Sequence, residues 1–173
     1  MASNKKPLFH KPKTTGEVRK IANTPLMWLV SIGSLVLLAA LSAFAIYAVT
    51  QRSAQQVVLY ADITMNAWLL FLFLPLIAWI IAVGFRLAVK MIPLEMWRLP
   101  VSVKEANIKT GGRYLKFATL LLELETVLLF GYITLVLYFG YIPGDIPVLM
   151  WVAAVVITVV AYSKYAVNAA MGR

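Results

Sequence analysis

The 173-residue sequence has no cysteine, which excludes disulfides, thiolate metal ligands and cysteine nucleophiles together. It has a single histidine, His10, with no second ligand near it, and a metal site needs three or four. Charge is also scarce, at 13% of residues against about 25% in soluble domains. Acid is scarcer still: seven Asp and Glu stand against sixteen Lys and Arg, a formal charge of +9. Among sequence motifs, no HExxH, nucleophile elbow or Ser/His/Asp set occurs, and Gly111-Gly112 lacks the Lys-Ser/Thr that completes a phosphate loop. Neither a catalytic residue set nor a metal set is present, so the expectation is a protein without enzymatic activity and without a cofactor.

What the chain has is apolar sequence. Hydrophobic residues make up 62% of it, against roughly 45–50% in soluble domains. They gather in four stretches, at about 26–50, 66–89, 117–140 and 147–168, each about 22 to 25 residues long. A helix needs roughly 20 apolar residues to cross a hydrocarbon core about 30 Å thick. Inside a bilayer every backbone N–H and C=O must bond within its own helix or close into a barrel. The stretches lack period-2 alternation, so the expected fold is all-α: an integral membrane bundle of four transmembrane helices. The first stretch follows a long polar tail and is too long for the core of a cleaved signal peptide.

The remaining residues divide the chain further. Residues 1–24 carry Lys5, Lys6, Lys11, Lys13, Arg19 and Lys20 against one acid, Glu17, and read as a basic, disordered tail. Residues 25–168 form the membrane domain, and 169–173 a short C-terminus. The segment at 51–65 balances Arg52 against Asp62. The connection at 90–116 is basic, with Lys90, Arg98, Lys104, Lys109, Arg113 and Lys116 against Glu95 and Glu105. The turn around Pro143-Gly144-Asp145 has no base, and Lys164 and Arg173 close the chain. Short loops rich in Lys and Arg stay in the cytoplasm. Both termini and the 90–116 loop are therefore expected to be cytoplasmic, in a multi-pass protein of a plasma membrane. The positive charge is then the topogenic signal, helped by anionic lipids at the cytoplasmic face. Nucleic acid is not an expected partner, because no basic motif is interleaved with aromatics.

Trp28, Trp68, Trp151, Tyr162 and Tyr165 lie where interfacial anchors belong. Small residues let helix backbones approach each other in lipid. The first stretch offers Ser31, Gly33, Ser34, Ala39, Ala40, Ser42 and Ala43, and the fourth Ala153, Ala154 and Ala161. Pro75 removes a backbone donor inside the second stretch and can kink it.

The polar residues most suggestive of function are Glu123 and Glu125, early in the third stretch. Carboxylates in a membrane are expensive and need a partner. Two positions two residues apart point about 200° away from each other on a helix. These glutamates therefore cannot face one groove as an acid/base pair. Lys116 and Glu123 are seven apart and share a face, and Arg86 reaches a similar level from the second stretch. An ion pair between Arg86 and one of the glutamates would remove two unpaired charges from lipid. The candidate intramembrane polar site is thus Glu123, Glu125, Arg86 and Lys116, read first as a structural ion pair and second as a site of proton or cation handling.

The stretch Arg98-Leu99-Pro100-Val101-Ser102-Val103-Lys104-Glu105-Ala106-Asn107 is followed eighteen residues later by Glu125, in Leu124-Glu125-Thr126-Val127-Leu128-Leu129-Phe130-Gly131. This pattern resembles the small bacterial membrane domain, of unknown function, that also begins the SdpI-type toxin-immunity proteins. The match spans about residues 66–140, and its family-like positions are Pro100, Glu105, Asn107 and Glu125. The resemblance implies a bacterial plasma-membrane protein acting as an immunity, sensing or accessory factor. Its partner would be another membrane protein or a second copy of the chain. The alternative is a small transporter, or a transporter subunit, using Glu125 and Arg86.

Overall fold

A computed structural model of the chain describes residues 22–52, 56–60, 63–91, 108–141 and 145–171. Four helices dominate: α1 Pro25–Arg52, α2 Ala67–Met91, α3 Ile108–Tyr138 and α4 Asp145–Met171. Each contains a segment long and apolar enough to cross a membrane. Between α1 and α2 lies an antiparallel ribbon, β1 Gln56–Tyr60 and β2 Ile63–Asn66, in the register Gln56↔Asn66, Val57↔Met65 and Val58↔Thr64 with an irregularity before Tyr60. The all-α expectation thus holds for the bundle, and the ribbon is an addition to it. Within the ribbon the run Val57-Val58-Leu59-Tyr60 is β-prone, but four residues are too few to outweigh the long apolar runs on either side.

α1 begins where its sequence provides a start. Thr24 caps it, accepting a hydrogen bond from the Met27 amide at 3.3 Å, and Pro25 takes the first helical position, where its missing N–H costs nothing. Buried positions along α1 are Met27, Val30, Ser34, Leu38, Leu41, Ala45 and Ala48. Their steps of three or four average 3.5 residues, the spacing that keeps one seam of a helix against its neighbours. Ala39 and Ala43, two of the small residues offered for helix contact, are exposed and point away from the bundle. The packed face follows the seam, and its small members are Ser34, Ala45 and Ala48.

α2 continues through Pro75 without interruption, and Pro75 is buried against the bundle. α3 is the hub, packing against each of the other three helices, whereas α4 packs chiefly on α3. Thr158 is the one buried residue among the described side chains of α4. Many large apolar side chains point outward, among them Leu29, Ile46, Ile80, Leu149, Met150 and Ile157. Water would not tolerate so much exposed apolar surface on a stable monomer.

Helix ends differ from the apolar runs. α3 starts at Ile108 and so takes in residues expected in the 90–116 loop, while α4 runs to Met171, into the expected C-terminal segment at 169–173. Hydropathy reports where apolar residues stop, but backbone hydrogen bonding continues through polar residues as readily. The end of α3 is sharper. Gly140 adopts a φ of 79°, its amide bonds to the Leu137 carbonyl, and the Tyr141 amide reaches back to Val136. That is the Schellman arrangement, in which the left-handed position favours glycine.

The two ends of the bundle are chemically distinct. At the ribbon end Phe44 meets Tyr138 edge-on at 5.1 Å, Phe71 lies 6.4 Å from the same ring, and the Arg52 guanidinium sits 4.9 Å from its centre. Arg86, Lys90 and Lys116 lie toward the opposite end, and the site is there.

Candidate functional site

Three helices build the site. Ser34 stands on the packed seam of α1, where a small side chain lets α3 come close. Arg86 lies on α2 near its C-terminal end, and Glu123 on the face of α3 that meets both. Glu123 is 1% exposed. Its carboxylate accepts from Arg86 Nη2 at 2.7 Å and from Nε at 2.9 Å, so the guanidinium grips it with two nitrogens. The Ser34 hydroxyl donates to the same carboxylate. Arg86 Nη2 also reaches the Ser31 carbonyl at 3.3 Å, which fastens α2 to α1 as well as to α3. Charge-assisted, two-pronged bonds of this kind are the strong ones and fix geometry.

Glu125 belongs to a different interface. Thr158 of α4 donates to its Oε1 at 2.7 Å, while Oε2 is buried without a hydrogen-bond partner among the described residues. The structure thus directs the two glutamates to separate contacts, as their 200° offset requires. Arg86 is paired with Glu123 and not with Glu125. Lys116 opens onto a cavity that Glu123 also lines. Pro100, Glu105 and Asn107 lie outside the described residues.

Other polar groups are satisfied locally. The hydroxyls of Thr119, Thr126 and Thr134 each donate 2.7 Å back to the carbonyl four residues earlier, so α3 carries them without needing a neighbour. Trp79 Nε1 donates to Ser42 Oγ at 3.0 Å, a further tie between α2 and α1. Trp28 and Trp68 are exposed, as anchors would be, but Trp151 and Tyr162 are half-buried and turn polar atoms inward. Among the described residues no three His, Cys, Asp or Glu side chains gather to hold a metal ion.

Charge drew attention to Arg86, Glu123, Glu125 and Lys116, but the hydroxyl partners gave a weaker signal. Ser34 was visible only as one small residue among seven on α1. Thr158 sits in an unbroken apolar run, where one hydroxyl carries no pattern. Lys90 counted as a loop base, yet it lies within α2 and lines the same cavity as Lys116.

Fold and site together define a helical bundle with four candidate transmembrane helices and a buried arginine–glutamate lock, which suggests a multi-pass membrane protein. No family model, curated protein or solved structure matches the chain.

Proposed function

We propose that the chain is a non-enzymatic bacterial plasma-membrane protein with both termini cytoplasmic, acting as an immunity, sensing or accessory factor that binds another membrane component. The observation that carries this reading is the state of Glu123. Its carboxylate is held by Arg86 and Ser34 from two neighbouring helices. A carboxylate so engaged is part of the frame and is poorly placed to carry protons or ions. The resemblance to the immunity-protein domain supports the same reading, with Pro100, Glu105 and Asn107 as its loop positions. Anionic lipids at the cytoplasmic face accompany the bilayer as expected partners.

Orientation rests on the alternation of basic and non-basic connections. Because the chain has no cysteine, single cysteines can report on it without background. With cysteines placed singly at Ser3, Ser53 and Gly172, a membrane-impermeant maleimide added to intact cells is expected to label only the Ser53 variant. Labelling at Ser3 or Gly172 would reverse the topology.

Function is tested by pull-down of the tagged full chain from its native membrane, with a deletion strain challenged by peptide toxins and envelope stress. A stable membrane companion and increased sensitivity are expected. Unchanged sensitivity would remove the immunity version, and a protein purified without companions would remove the accessory version. A second reading, a small transporter or subunit of one, has a single observation in its favour: the Glu125 oxygen without a described partner. Solute or proton flux in proteoliposomes, abolished by Glu125→Gln, would put that reading first.

A further inference from the structure

Of the four buried polar atoms that lack a hydrogen-bond partner among the described residues, three belong to α3 and α4: Glu125 Oε2, Trp151 Nε1 and Tyr162 Oη. Unpaired buried polar atoms on one helix pair point to a missing polar guest. Thr158 fixes the face of α4 concerned, because its hydroxyl donates to Glu125 Oε1 at 2.7 Å. Tyr162 is four residues further along and shares that face. α4 returns antiparallel along α3, and side chains on a helix lean toward its N-terminus. Glu125 therefore leans toward the turn that carries Tyr162, and Tyr162 leans back toward Glu125. The carboxylate and the Thr158 hydroxyl touch, and the phenol approaches from about 6 Å along the axis.

No neighbouring base balances the charge of Glu125. Its one hydrogen-bond partner among the described residues is a neutral hydroxyl, and Arg86 is bound to Glu123 on the other side of α3. On its own helix the nearest base is Lys116, nine positions back, about 14 Å along the axis. On α4 it is Lys164, six positions past Thr158 and exposed. Glu125 also stands at the middle of the apolar segment Gly111–Tyr138, where a bilayer offers a carboxylate no water.

The donor set defines what would balance it. Every atom offered is an oxygen, and hard cations take oxygen ligands. Thr158 gives its one proton to Oε1 and keeps its lone pairs free to face a cation. One carboxylate neutralises one positive charge, whereas a divalent ion would leave an excess charge in apolar surroundings. Oε2 has no exposed surface, so the guest is a small ion and not an organic ammonium.

We propose that Glu125 and Thr158 bind a monovalent alkali cation, sodium or potassium, between α3 and α4, with the Tyr162 hydroxyl flanking it. The ion neutralises the carboxylate and fastens α4, which packs chiefly on α3. The proposal concerns equilibrium binding by the purified chain. It requires neither a protein partner nor flux, and so stands apart from both readings above.

The test uses the full chain in a neutral maltoside detergent at constant ionic strength, with sodium, potassium or magnesium chloride replacing N-methylglucamine chloride. Binding is read by thermal unfolding and by scintillation proximity with radiolabelled sodium, or with radiolabelled rubidium in place of potassium. Sodium or potassium is expected to raise the unfolding midpoint saturably by about 3 °C or more, and magnesium to do no better than N-methylglucamine. The alkali ion that saturates at the lower concentration is the occupant. Glu125→Gln should abolish both readouts, and Thr158→Val should lower affinity about tenfold. Thr134→Val removes a hydroxyl that bonds only within α3 and should leave affinity unchanged. The proposal is overturned if neither alkali ion saturates above N-methylglucamine, or if magnesium stabilises more than both. It also fails if Glu125→Gln keeps the dependence, or if Thr134→Val weakens binding as much as Thr158→Val. Should Glu125→Gln fail to fold, Thr158→Val decides the matter, since it keeps both the side-chain shape and the charge of the site.

Discussion

Replacing Arg86 by Met is expected to destabilise the folded bundle by about 4 kcal/mol, more than replacing Glu123 by Gln, which should cost about 3 kcal/mol. Removing one partner of a buried pair leaves the other charge without compensation. The two orphans differ in their route to water. Glu123 is 1% exposed and has none, whereas the Arg86 side chain keeps 29% exposure and can turn outward. The second value is therefore discounted for screening. Neutral hydrogen bonds between membrane helices average only about 0.6 kcal/mol, so the Ser34 hydroxyl adds a minor part. Unfolding equilibria in bicelles or mixed micelles would measure both variants, and Arg86→Met/Glu123→Leu should recover most of the loss. A double variant no better than Arg86→Met alone would show that the cost came from packing and not from charge.

The second large effect is expected at Phe71. This ring is fully buried, in a cluster with Ala48, Ala67 and Leu137, and it lies edge-on to Tyr138. In water, Phe→Ala in a core costs about 3–5 kcal/mol, part of it the transfer of apolar surface. In lipid the unfolded helix leaves the same ring in hydrocarbon, so the transfer part disappears and the void remains. Phe71→Ala should thus lose about 2–3 kcal/mol. Phe73, two residues along α2 and 51% exposed, supplies the control: its truncation should change stability by less than about 0.5 kcal/mol. Equal losses at the two positions would mean that burial within the bundle is not what holds α2 in place.

How much of this could be read from the sequence depends on which physical signal each feature leaves. The four helices were legible because a bilayer demands long apolar runs, and such runs are hard to produce otherwise. The separate directions of Glu123 and Glu125 followed from helical geometry alone. Their partners did not, since which helices adjoin is a tertiary fact. The seam on α1 escaped for a related reason. In a helix apolar on all sides, no polar face marks the outside, so small residues such as Ala39 and Ala43 pointed to contact while Ala45 and Ala48 did not stand out. The start of α3 was misplaced because helix propensity extends beyond the membrane, whereas hydropathy does not. The β1–β2 ribbon was lost to its brevity.

The lock has a consequence for how the chain is made. Arg86 precedes Glu123 by 37 residues, so a ribosome delivers the cation well before the anion that balances it. A charge near the middle of an inserted helix costs about 2.5–3.5 kcal/mol on insertion scales, less near its end. Were α2 inserted into a bilayer, it would on its own have an incentive to linger at the insertion machinery or at the head-group layer until α3 emerged. In a bilayer the acid would then release it, and the two helices would settle into hydrocarbon as a hairpin. A contact that stabilises the finished bundle would thus also set the order in which its parts leave the aqueous phase.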